Sequence, residues 1–216
     1  MTRNDNSWRR RARAAASGVV TALAAQGLVA CTGVASTTPW FGAADAAGAP
    51  RLREGVWRIA QPDDKPCAVD ETRPLETWPD CAMGLVVTSS QIIASRPGDD
   101  GRPEHDAFPY LLAAGDPPIL QLADASAPAS GYIYIWLQPA RLDAGGRVVE
   151  VRGWRVLCGP PALPDGSPAP LYPGLTSSNG DCTAASRDAV RAAAKASQHD
   201  DTTDLADIRW LRAGDR

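Results

Sequence analysis

The chain has 216 residues, with 22 Lys or Arg against 25 Asp or Glu, and the resulting formal charge of −3 excludes a basic nucleic-acid binder. Hydrophobic residues make up 44%, enough to fill one core and too many for a chain that stays disordered. Gly and Pro, 19 of each, predict many turns and short elements and argue against a helix bundle.

Arg9, Arg10, Arg11 and Arg13 precede an uncharged stretch, Ala14 to Ala30, dominated by Ala, Val, Leu and Gly. This is the layout of a secretory signal, and with Gln26 inside it the stretch is marginal as a membrane-spanning helix. Ser7-Trp8-Arg9-Arg10 is similar to a twin-arginine signal, so both export routes stay open. The stretch ends in Leu28-Val29-Ala30-Cys31, which resembles the lipobox of bacterial lipoproteins, where a signal peptidase cuts before the cysteine and a diacylglycerol is attached to its sulfur. The resemblance implies a signal peptide over 1–30, Cys31 as the lipidated mature N-terminus, and anchoring in the cell envelope on the non-cytoplasmic side. Thr32 after Cys31, in place of Asp, implies the outer membrane where a cell has two. Two or three acyl chains, at about 0.8 kcal/mol per buried methylene, make a stable anchor. Losing the leader removes five arginines and Asp5, which takes the formal charge to −7. The acyl chains, rather than attraction to anionic headgroups, are then the expected hold on the membrane.

After Cys31, residues 32–50 are mostly Ala, Gly, Ser, Thr and Pro with one charge at Asp45, so 31–50 is expected to be a lipid-anchored flexible linker reaching about 24 Å. Trp40-Phe41 is its one apolar spot. Cys67, Cys81, Cys158 and Cys182 remain, an even number in an exported chain, and predict two disulfides in a domain over 51–216. Three connectivities are open. Cys67–Cys81 with Cys158–Cys182 is favoured because each bridge closes a local segment rich in Pro, Gly and Asp. No paired short Cys spacing points to zinc, so no metal is expected.

Strand signals follow from Gly55–Ala60, through Gly84–Thr88 and Gln91–Ser95 across Ser89-Ser90, to Tyr110–Ala113 and Ile119–Leu122 across Gly115-Asp116-Pro117-Pro118. The strongest hairpin joins Tyr132–Leu137 to Arg147–Leu157 across Leu142-Asp143-Ala144-Gly145-Gly146. In its first strand Tyr132, Tyr134 and Trp136 point one way while Ile133, Ile135 and Leu137 point the other, so the strand belongs inside a sheet with both faces covered. One helix is predicted over Thr183–Gln198, capped by Asp181 or Thr183, with Arg187, Arg191 and Lys195 as a basic stripe. Asp207–Leu211 is expected to pair with Gly55–Ala60, bringing Trp57 near Trp210. The fold class is α+β, mainly β: an antiparallel sheet or open barrel with one C-terminal helix. Gly55-Val56-Trp57 resembles the Gly-x-Trp that opens lipocalins, some of which are bacterial lipoproteins. Eight evenly spaced strands are not legible, and no functional residue is carried over.

Catalytic signatures are missing. No Ser sits between glycines at a nucleophile elbow, none is followed three residues later by Lys, and there are two histidines, His105 and His199. The densest polar cluster is Asp99-Asp100-Gly101-Arg102-Pro103-Glu104-His105-Asp106, which lacks the spacing of a calcium loop. The leading reading is a lipid-anchored envelope protein, not an enzyme, with a binding or structural domain, no cofactor, and an envelope ligand or protein partner of unknown identity. Tyr132, Tyr134, Trp136 and Trp154 are the candidate ligand surface. Two rivals remain: an envelope hydrolase using acidic residues of the 99–106 loop, Glu104 and Asp106 among them, and a lipocalin-like carrier of small apolar ligands, which predicts a closed barrel with an internal cavity.

Overall fold

The structure is a computed structural model, and it describes residues 33–60, 67–79, 81–97, 103–123, 131–160, 169–178, 181–198 and 206–214. The signal stretch, Cys31, residues 99–102 and His199 lie outside these. In chain order the strands are β1 (Val34–Ser36), β2 (Gly55–Ala60), β3 (Met83–Val87), β4 (Gln91–Pro97), β5 (Pro103–Ala113), β6 (Ile119–Ala123), β7 (Tyr132–Leu142) and β8 (Val148–Arg155). Then come β9 (Leu175–Ser178), β10 (Asp181–Ala184), helix α1 (Arg187–Ser197) and β11 (Ala206–Arg212).

β2 to β8 form an antiparallel meander, and β11 pairs with β8 on one side and β2 on the other. The result is a closed eight-stranded antiparallel barrel with one C-terminal helix, where an open barrel or sheet was expected. Closure gives each of the eight strands a partner on both sides and so satisfies its backbone groups. The expected pairing of the last strand with the first holds, with Trp210 opposite Trp57. The chain leaves β7 after Val156, whose N–H still donates to Tyr134 O at 2.9 Å, and β1 fills the gap: Ala35 pairs with Ile133, and Val34 N donates to Val156 O at 2.7 Å. β10 lies parallel to β1 and carries β9.

Both faces of β7 are buried, as its composition demands. Ile133, Ile135 and Leu137 face the lumen core, while Tyr134 and Trp136 belong to a second core outside the barrel wall. That outer core is roofed by α1 and by the segment expected to be a linker. From Gly33 onward this segment is part of the domain: Val34 and Phe41 are buried. The Gln121 side chain, buried on β6, accepts from Phe41 N at 2.9 Å and donates to Phe41 O at 3.0 Å, standing in for a strand partner. The Tyr134 hydroxyl meets Ser36 Oγ at 2.6 Å and accepts from Trp40 N at 3.3 Å. Small residues bury little area each, so composition alone could not show that Phe41 and Val34 supply the contacts that order this stretch.

α1 starts later than expected. Residues 181–184 form β10, with Thr183 Oγ1 3.0 Å from Thr176 Oγ1 across the β9–β10 pair, and Ser186 is the cap, its Oγ accepting from Ala189 N at 3.1 Å. Ala189, Val190, Ala193 and Ala194 face the barrel. Ser197 Oγ donates to Ala193 O at 2.7 Å and accepts from Leu157 N at 3.0 Å, pinning the helix end to the chain beyond β8. Two of the three residues of the basic stripe, Arg187 and Arg191, bond within the domain. Asp45 receives Arg187 at 3.0 Å, Arg191 at 3.4 Å and Gly42 N at 3.0 Å, and Arg191 also donates to Ala114 O at 2.6 Å.

The disulfides are Cys67–Cys81 and Cys158–Cys182, the favoured pairing. The first staples the 67–79 segment against the outside of β2, β3 and β11. Glu71 accepts from Arg58 and Arg209, both at 2.5 Å, Arg212 reaches the Glu71 and Arg73 carbonyls, and any side chain at Gly84 would collide with Leu75 and Trp78. The second joins the end of β8 to β10 through two buried cysteines.

Replacing Cys158 and Cys182 together by Ala is expected to lower stability by about 3.5 kcal/mol, and the shorter Cys67–Cys81 loop by about 3 kcal/mol. Denaturant unfolding checks this, and a loss under about 1 kcal/mol for the first pair would contradict it. The Asp45 carboxyl is held below its usual value by the Gly42 N–H first and then by the two arginines, partly opposed by desolvation. A depressed folded-state pKa contributes stability above the ordinary value of 3.8 and loses it as pH falls through the lower folded value. Asp45→Asn should therefore flatten the acid limb of the stability curve below about pH 4. An unchanged limb would count against this anchor.

Candidate functional site

Strand alternation in a closed barrel sends every second side chain inward. The inward residues that line a cavity are Trp57 and Ile59 on β2, Leu85 and Val87 on β3, Ile92 and Ala94 on β4, and Phe108 on β5. Leu120 and Leu122 on β6, Ile135 and Leu137 on β7, Val151 and Gly153 on β8, and Ile208 on β11 complete the circle. Together with Leu52 these residues surround a cavity of about 80 Å³, and each of them is apolar. Ala94 and Gly153 make the space by being small. A Cβ at Gly153 would lie 2.8 Å from Leu137 Cδ2 and 3.3 Å from Trp136 O.

One end of the lumen is sealed by the strap that enters β2. Leu52 bridges Val148, Arg53 N donates to Val148 O at 3.0 Å, and Val148 N donates to Arg51 O at 2.7 Å. Trp57 Nε1 donates to Arg53 O at 2.8 Å and Trp210 Nε1 to Glu54 O at 3.0 Å. The Arg53 guanidinium lies 3.6 Å over the Trp210 ring and 3.5 Å from Asp143. Asp143 also accepts from Arg147 N and Gly145 N, which with the Arg147 side chain lower its pKa against desolvation. Tyr110 closes the same end: its hydroxyl donates to Thr88 O at 2.9 Å, and burial raises its pKa, with Glu54 adding to the rise.

The polar cluster of the sequence runs into β5 toward the other end. Asp106 pairs with Ala94, whose side chain lines the cavity, so the half-buried Asp106 lies on the lumen side. Glu104 follows on that side and is exposed, while His105 projects the other way, also exposed. Asp70, held low by the Thr72 hydroxyl and N–H, sits in the 67–79 segment on the outer wall. Among the described residues, no cluster of His, Cys, Asp and Glu could hold a metal ion. None of the helices there is long and apolar enough to cross a membrane.

The expected aromatic ligand surface is not an open one. Tyr134 and Trp136 are buried in the outer core, with Tyr132 and Trp154 packed against it, because α1 and the 33–47 segment cover that side of β7. Burial raises the Tyr134 pKa, opposed by its bonds to Ser36 and Trp40. The cavity lies behind those rings, on the opposite face of the same strand. Of its lining, Trp57 was signalled by Gly55-x-Trp57 and the β7 aliphatics by alternation. Phe108 and Leu52 carried no signal, since neither lies in a run that the sequence marks as a strand. Comparison with protein-family models, with curated proteins and with solved structures finds no match.

Leu120→Ala should enlarge the cavity and cost about 2–5 kcal/mol in denaturant unfolding. A cost under about 1 kcal/mol would mean that the lumen collapses to fill the space.

Proposed function

We propose that this chain is an exported, lipid-anchored envelope protein whose barrel lumen holds a small apolar ligand or the apolar end of a larger one. The observation that carries the reading is the cavity of about 80 Å³ with an entirely apolar lining drawn from all eight strands. That volume exceeds the 10–15 Å³ a single water needs, yet the lining offers no polar partner to hold water. It is smaller than the roughly 150 Å³ of an engineered cavity that takes benzene, so a short unbranched hydrocarbon stretch fits better than a ring. The lipobox resemblance at Cys31 and two disulfides support an oxidising compartment outside the cytosol. The Gly55-x-Trp57 resemblance to lipocalins agrees with the carrier reading.

Binding is tested with short-chain alkanes as probes, read by thermal unfolding. A ligand at 100 times its Kd raises stability by about 2.7 kcal/mol. Ala94→Leu, which projects three further carbons into the cavity, should keep the fold and abolish the alkane-dependent shift. If no alkane stabilises the unmodified protein, or if Ala94→Leu retains the full shift, the lumen is not the site.

A further inference from the structure

The anchor reading carries a geometric consequence that the expected linker would have erased. A tether of about 24 Å would let the barrel adopt any orientation, but the chain is fixed to the barrel from Gly33, two residues after Cys31. Gly33 bridges Leu157, and Val34 is buried with its N–H bonded to Val156 O at 2.7 Å. Two residue steps span at most about 7 Å. Chain length alone would therefore keep an acylated Cys31 near the flank where β8 ends and β1 begins.

That flank bears a partly exposed apolar residue. Leu171 is 43% exposed, one of two large hydrophobic side chains so exposed among the described residues. Its segment is tied to the same place: Tyr172 N donates to Cys158 O at 2.9 Å, one residue beyond the Leu157 that meets Gly33, and a Cβ at Gly159 would lie 3.4 Å from Leu171 Cα. The half-buried Tyr172 beside it is the residue type that membrane interfaces favour. The other such residue, Leu142 at 55%, ends β7 seven residues beyond Ile135, about 23 Å further along the strand.

We infer that the flank formed by the end of β8, β1 and the 169–173 segment lies against the bilayer that holds the Cys31 acyl chains, with Leu171 in the interface. The inference rests on Cys31 being acylated. The acylated full chain, its modification checked by intact mass and its binding by flotation, is placed in phosphatidylcholine vesicles whose acyl chains are brominated near the headgroup. Tryptophan emission of Leu171→Trp and Leu142→Trp is compared with that of the unsubstituted protein. The indole added by Leu171→Trp should be quenched at least about twofold more than the one added by Leu142→Trp. A twelve-residue Gly/Ser insertion between Thr32 and Gly33 should bring the two to the same level. Equal quenching of both in protein that floats, or no effect of the insertion, overturns the orientation. Protein that neither floats nor carries acyl mass removes the anchor reading and the orientation with it, while alkane binding in the lumen would stand unaffected.

Discussion

The constraint on which this structure depends is that β7 is apolar on both faces. A strand with Ile133, Ile135 and Leu137 on one side and Tyr134 and Trp136 on the other is stable only with cover on each. Barrel closure supplies the first cover, since curling the meander places the inward face against seven other strands. It cannot supply the second. The outer face is covered by elements from both ends of the domain, β1 and the 37–47 segment before the barrel and α1 after β8; β1 is held by backbone pairing with β7, and the 37–47 segment and α1 need a further hold.

That hold comes from a few polar side chains placed at the seams. Gln121 presents an amide to the Phe41 backbone in the geometry of a neighbouring strand, Asp45 joins Gly42 to the two arginines of α1, and Ser197 ties the helix end to Leu157. Each satisfies backbone or charged groups that burial would otherwise leave unpaired, which is where a hydrogen bond matters most. The Cys158–Cys182 bridge links the same layers covalently. The 67–79 segment repeats the pattern on the opposite wall, with Glu71 between Arg58 and Arg209 and a disulfide at its ends.

What the sequence disclosed follows from these forces. Local signals were legible: the β7–β8 hairpin with its turn residues, the alternation in β7, the cysteine pairs closing short loops, and Trp57 opposite Trp210 on strands with matching apolar positions. Signals that depend on distant partners were not. The first half of β5, residues 103–109, carries Glu104, His105 and Asp106, and becomes strand by pairing with β4 from Gln91 to Pro97. Residues 33–50 are mostly small, and the bonds made through Gln121 and Asp45 that help order them span some 80 to 146 positions of sequence. The cavity is the clearest case. Alternation identifies which residues face inward, but the volume left between them is a difference among many packed side chains, and no local pattern encodes it.

Closing the sheet also governs how one copy meets another. A bare strand edge is a template for joining sheets between neighbours. The eight barrel strands have none. Among the described strands the exception is β9, at the end of the three-strand extension, and it is four residues long with Thr176, Ser177 and Ser178 exposed. So short and hydrophilic a border offers little to the sheet of a second copy.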